Sequence, residues 1–294
     1  MQLEDTKIHK NLEEHIIIAI RDIGIPPRPT VLSEIESEMA KDEPDFTHLA
    51  KIISADVALS AGLLKTVNSP YYGLDKKVRS VPEALLLLGL NLTIKTIAGI
   101  SLQKVFKDSP HLERYWDESG TTARVSGWLA KRLRKTCSVR PEDAYTYGLF
   151  HDCGIPVIMS PFPQYRHVLA VANAEKSERF TEVENRLIGA NHADMGAMLA
   201  ESWALPSEIS EAIKHHHDLD RLVGELSPYT SAMVTTLVAM THLAEFLIYK
   251  RVNASASFEW EKISDIAKQI LKIDDAKIDE LFQDCHEPMA GFFD

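Results

Sequence analysis

The feature that most constrains this chain is the spacing of its apolar residues, which recur every three or four positions and rarely alternate. A period near 3.6 draws one stripe down a helix, whereas a half-buried strand needs a period of two. The expected fold class is therefore all-α. Residues 8–23 carry Ile16, Ile17, Ile20 and Ile23 and stop at Gly24, ahead of Pro26, Pro27 and Pro29, because proline lacks a donor and disfavours helix in the residue before it. A second helix starts near Thr30 with Leu32, Ile35 and Met39 on one face. Asp45 and Asp56 stand where side chains cap the next two helices. Ser80-Val81-Pro82-Glu83 is a capping box with proline near the first helical position; that helix runs to Gly89, and Asn91 caps another.

Asp108-Ser109-Pro110 reads as a boundary, giving an N-terminal helical bundle over 1–108 and a second helical domain over 109–294. The second half opens with a long helix, about 112–136, whose Gly120, Ala123, Gly127 and Ala130 permit close approach of a neighbour. A helix from Pro141 to His151 follows, and later ones are expected near 161–175, 178–188, 191–203, 206–217, 230–250 and 259–272.

Charge narrows the function. The net charge is −11, which disfavours a nucleic-acid partner, since phosphate binding needs clustered Lys and Arg. The one basic stretch, Lys131–Lys135, reads as a solvated helix face. Cys137, Cys153 and Cys285 have no CxxC spacing and fit free thiols in a reducing compartment. The start is charged throughout, and the longest apolar run, Ala84–Leu90, is far short of a bilayer span. A cytoplasmic protein with no membrane partner is the expectation.

Histidines cluster in the second half as His151-Asp152, His192 and His216-His217, the last pair next to His215. Imidazole and carboxylate ligate divalent first-row metals, and adjacent His and Asp supply a terminal and a bridging ligand. After Pro206, Ile209, Ala212 and Ile213 mark a buried stripe that His216 and His217 continue. Glu118 lies in register with Val125, Leu129 and Leu133, and Glu245 shares a face with Val234, Val238, Thr241 and His242. Blander readings stand beside these. A buried histidine is commonly a satisfied core residue, three histidines at a helix end suit its dipole, and a lone His-Asp pair means little.

The order His-Asp, His, His-His, then an acidic residue resembles the HD superfamily of metal-dependent phosphohydrolases, and more closely its HDOD branch. IPPRPTVLSEIESEM (25–39), LAKIISADVALSAGLLKTVNSPYYGL (49–74), SVPEALLLLGL (80–90), GLFHDCGIPV (148–157) and NHADMGAMLAESWALPSEISEAIKHHHD (191–218) carry the likeness. It implies an all-helical bundle packed on an HD-like half and a role in bacterial signal transduction, with no settled catalytic activity. It also implies a possible divalent metal (Fe, Mn, Zn or Mg) held by His151, Asp152, His192, His216 and His217, with Glu118 and Glu245 at the edge. Glu118 stands where the superfamily pattern has histidine, Glu245 where it has aspartate, and no GYP-type signature follows His217. Two functions follow: a regulatory module that binds a signalling protein or a small-molecule ligand, or a phosphohydrolase acting on a nucleotide or cyclic dinucleotide, with Asp152 catalytic. Hydrolysis requires cations near the site; Lys214, Arg221 and Arg166 are the nearest in sequence, and their scarcity favours the regulatory module. Oligomeric state leaves no mark in the sequence.

Overall fold

The structure, a computed structural model, describes residues 24–69, 72, 74, 76–107, 109, 112–224, 230–252 and 259–285. The helix expected over 8–23 lies outside the described residues, as do Asp108 and Pro110 of the expected boundary. Among the described residues every regular element is a helix.

Four helices build the first half: α1 (Thr30–Met39), α2 (Phe46–Ser54), α3 (Val57–Val67) and α4 (Val81–Val105). Their starts follow from local hydrogen bonding. Asp45 accepts from the amides of Thr47 and His48, Asp56 from Ala58 and Leu59, and Ser80 from Glu83, satisfying donors a helix start leaves unpaired. Gly89 sits inside α4 at φ 71° and ψ 169°, a backbone open to glycine, so α4 is two helices joined at a kink.

The second half holds α5 (Glu113–Arg132), α6 (Pro141–Phe150), α7 (Gly154–Met159), α8 (Tyr165–Ala174), α9 (Phe180–Ile188) and α10 (His192–Ser202). After these come α11 (Ser207–Lys214), α12 (Leu219–Val223), α13 (Ala232–Val252), α14 (Glu259–Leu271) and α15 (Asp275–Asp284). Its central packing pair is α5 on α6, with α13 laid against both. Ser126 Oγ and Thr241 Oγ1, 3.3 Å apart and buried, tie α5 to α13. Buried apolar side chains from Leu32 in α1 to Leu281 in α15 form one continuous core. The halves are also stitched by Trp203, whose indole N–H donates to the Pro26 carbonyl at 3.0 Å, and by Asp143 of α6, which pairs with Lys95 of α4 and with Arg140.

Length and apolarity alone would let two helices, Val81–Val105 and Ala232–Arg251, cross a bilayer, which the short apolar runs in the sequence did not suggest. The first is broken at Gly89. The second is interrupted by His242 and Glu245, which face a polar cavity.

Candidate metal centre

Each histidine reaches the site from a different backbone setting. His151 and Asp152 follow α6 in a turn, and α7 begins at once with Gly154. A Cβ on Gly154 would lie 1.9 Å from the His192 carbonyl oxygen and 2.6 Å from the Gly196 nitrogen. The missing side chain therefore lets the start of α7 rest on the backbone of α10 and brings Asp152 against His192. Asn191 caps α10, accepting from the Asp194 amide at 2.8 Å. The helix expected over 206–217 ends at Lys214, so His215, His216 and His217 occupy a turn rather than a continued stripe. The turn still sends His216 and His217 inward while His215 faces Asp218. Two positions of α13, His242 and Glu245, complete the ring one turn apart.

Hydrogen bonds fix the ring tautomers. A carbonyl oxygen only accepts, so His151 carries its proton on Nδ1 toward Gly148 O (2.9 Å), and His216 does so toward Ile213 O (2.6 Å). Carboxylates do the same work for His192, whose Nδ1 is 2.8 Å from Glu184, and His217, whose Nδ1 is 3.0 Å from Glu259. All four Nε2 atoms then turn toward one space. His192 Nε2 lies 3.0 Å from His216 Nε2 and 3.1 Å from His217 Nε2. Asp152 Oδ1 is 3.3 Å from both His192 and His216 Nε2, and its Oδ2 is 3.3 Å from His151 Nε2. Glu245 Oε1 is 3.1 Å from the same His151 nitrogen.

Neutral imidazoles so oriented point lone pairs at one another, an arrangement that needs a cation between them. Two overlapping groups supply ligand atoms within 4.8 Å of each other: Asp152, His192, His216 and His217, and His151, Asp152 and Glu245. Asp152 belongs to both, one oxygen toward each. The donor set suits a divalent first-row ion, and outer partners that fix ring orientation are the usual company of metal-bound histidine. Without metal, protons take the cation's place. Burial opposes charge on His192, but Glu184 and Asp152 raise it to about 10. His216 is driven down to about 3 by burial and by His217. Burial alone would raise Asp152, yet His151, His192 and His216 hold it well below the usual carboxylate range.

The cavity over these atoms measures about 220 Å³, and among the described residues four carboxylates line it (Glu118, Asp152, Glu245 and Glu259) against one guanidinium, Arg114. Glu118 lies outside both ligand groups; it accepts from Arg114 at 2.7 Å, and burial raises its pKa. Lys214, Arg221 and Arg166, the cations nearest in sequence, do not line the cavity: no residue of α11 or α12 reaches it, and α8 presents Leu169 and Asn173 instead. Sequence reading missed three residues that complete the site: Glu184, Glu259 and, as more than a neighbour of Glu245, His242. His242 donates from Nε2 to the His216 carbonyl at 2.7 Å and turns Nδ1 to Glu245 at 3.3 Å. Glu184 did carry a signal, an acidic residue four positions after Phe180 on an apolar stripe.

The family model described as the HDOD domain matches residues 25–219. An uncharacterized protein of Treponema pallidum (strain Nichols) is 29% identical over 242 residues, covering 81% of this chain but 46% of its own length, so the chain spans about half of that relative. A solved structure from Marinobacter aquaeolei VT8, provisionally named a signal transduction protein, superposes with a TM-score of 0.67 at 22% identity, covering 92% of this chain and 59% of that one. Another, from Shewanella amazonensis SB2B and provisionally named a metal-dependent phosphohydrolase, gives 0.67 at 15% identity, covering 96% and 99%. At these identities the two structures speak for the fold alone.

Proposed function

The chain belongs to the HDOD domain family, and from that membership we propose that it is a regulatory module of bacterial signal transduction whose second half holds divalent metal. The observation that carries the reading is the convergence of four Nδ1-protonated histidines on one space, with His192 and His216 Nε2 only 3.0 Å apart. Sealing Glu184 away from water beside His192 costs several kcal/mol in desolvation. An imidazole kept oriented for a metal is a reason to bear that cost. The names of the Marinobacter and Shewanella proteins support the two parts of the proposal, signalling and metal.

His192, His216, His217 and Asp152 would hold one ion, and His151, Asp152 and Glu245 an adjoining one. The nitrogen-rich first group favours Fe, Mn or Zn over Mg. Bound ions would supply Lewis acidity toward a phosphoryl oxygen and an attacking water. Phosphoester hydrolysis is accordingly a second reading, favoured by one observation: the two Asp152 oxygens face different ligand groups, as a bridging carboxylate would. Opposing it is the cavity wall. Four carboxylates against Arg114 repel a phosphate until ions offset them, and Arg114 is engaged by Glu118. Turnover on cyclic dinucleotides and nucleoside phosphates is expected to be weak or absent.

The test is metal analysis of protein purified without chelator, beside an Asp152→Asn variant, with both assayed on a phosphodiester in Mn²⁺ or Fe²⁺. Retained metal in the wild type and its loss in the variant is the expected result. A folded wild type that retains no metal sinks the proposal, and robust hydrolysis abolished by Asp152→Asn replaces the regulatory reading with the enzymatic one.

A further inference from the structure

Helix α5 is the wall of two cavities. Tyr115, Glu118, Ser119 and Thr122 make the stripe that faces the histidines, while Trp116, Asp117, Gly120, Thr121 and Arg124 make the opposite stripe. That second stripe borders a separate cavity of about 350 Å³, closed by α3, α4 and α6. It lies at the junction between the N-terminal helices and the α5–α6 pair.

Its chemistry differs from that of the histidine cavity. Among the described residues Lys65 and Arg124 line it against one carboxylate, Asp117, in a chain whose net charge is −11. The Arg124 guanidinium is held along α5: Nη2 donates to Thr121 Oγ1 at 2.9 Å, and Nη1 lies 3.6 Å from the place a Cβ would take on Gly120. The aromatic rings of Trp116, on the same stripe, and of Tyr145, on α6, also line it, with the amide of Gln103 on α4. Ser69 Oγ, also on the wall, is buried and has no hydrogen-bond partner among the described residues. An unmet buried hydroxyl is unfavourable, and a bound polar group would satisfy it.

We infer that this cavity binds a small phosphorylated ligand with a planar ring, of the size of a nucleoside monophosphate. A planar guanidinium fork and a lysine on the walls of one cavity suit phosphate oxygens. Trp116 and Tyr145 offer faces for a ring, and Asp117 and Gln103 offer acceptors for its N–H edges. The volume is at the low end of ligand pockets, roughly 300–1,000 Å³, and is too small for two nucleotides. The site is distinct from the metal centre and stands whether or not that centre is catalytic.

Calorimetric titration of the metal-free full chain in EDTA with 5′-AMP, 5′-GMP and inorganic phosphate tests this. One of the monophosphates binds at a single site, at least about tenfold tighter than inorganic phosphate, the ring supplying the difference by stacking. Arg124→Gln and Lys65→Gln each weaken it about tenfold, the loss of one charge-assisted contact. Lys65 is exposed, so its variant keeps the test valid if Arg124→Gln fails to fold. No binding by either monophosphate, binding no tighter than inorganic phosphate, binding that needs metal, or binding untouched by Lys65→Gln each overturns the assignment.

Discussion

His192 and Glu184 form an ion pair closed to water: Nδ1 and Oε2 are 2.8 Å apart, and the side chains are 1% and 0% exposed. Tyr165 donates its hydroxyl to the same carboxylate. Glu184→Gln keeps the shape and removes the charge that makes the His192 ring a strong donor. Metal affinity is expected to fall roughly 10–100-fold with the fold intact, as for other outer partners of metal-bound histidine. Competition against a chromophoric chelator reads the change directly; an unaltered affinity would leave Glu184 a purely structural residue.

Gly154→Ala attacks the site from the backbone. A Cβ placed 1.9 Å from the His192 carbonyl meets main chain rather than a side chain that can swing aside. The expected cost is about 3 kcal/mol or more, at the upper end for overpacking. Because the clash parts α7 from α10, metal binding should weaken even in the fraction that folds. A thermal melt like that of the wild type would contradict this.

The pH dependence of stability should reverse sign when metal binds. Burial alone would raise Glu245, but hydrogen bonds from His151 and His242 bring it down to about 2 from 4.5. That contribution is full above pH 4.5 and is lost as pH falls toward 2. Burial opposes charge on His192, but Glu184 and Asp152 raise it from 6.5 to about 10; its contribution is full below pH 6.5 and is lost as pH rises toward 10. Metal-free protein should therefore lose stability from pH 6.5 upward. Metal needs deprotonated nitrogens, so its stabilisation grows over that range. Scanning calorimetry across pH 6.5–9 with and without Mn²⁺ should give slopes of opposite sign, and parallel slopes would count against the whole arrangement.

Asp143→Ala tests the seam between the halves. Burial alone would raise this carboxyl, but Arg140 and Lys95 hold it below its ordinary value. Removing it leaves Lys95, whose side chain is 14% exposed, without its partner. The expected loss is about 2 kcal/mol, below the figure for a fully buried pair because Arg140 is largely exposed. A denaturant midpoint within error of the wild type would show the seam to be redundant.

The all-helical class was legible because caps and apolar spacing agree locally: Asp45, Asp56 and Ser80 each accept the amides their positions announce. Short helices were not, since α7 and α12 span barely a turn or two and show no period. The histidine cluster could be read from its adjacent pairs. Its outer partners could not: Glu259 lies 42 positions from His217, and in a chain this acidic one more glutamate looks like surface. The end of α11 deceived in another way. A helical projection carried to His217 gave the right inward residues for the wrong reason, because a turn delivers them.

The hydrogen bond from Trp203 to Pro26 joins positions 177 apart. At roughly 5–20 residues per second on the ribosome, the indole is made about 10 seconds or more after its acceptor. Throughout that interval the segment ahead of α1 has no α10 to rest on, although α6, the partner of α4, is already made. Closure of so long a loop is a late and slow event in folding. The segment ahead of α1 thus stays open to chaperones and proteases until position 203 is made.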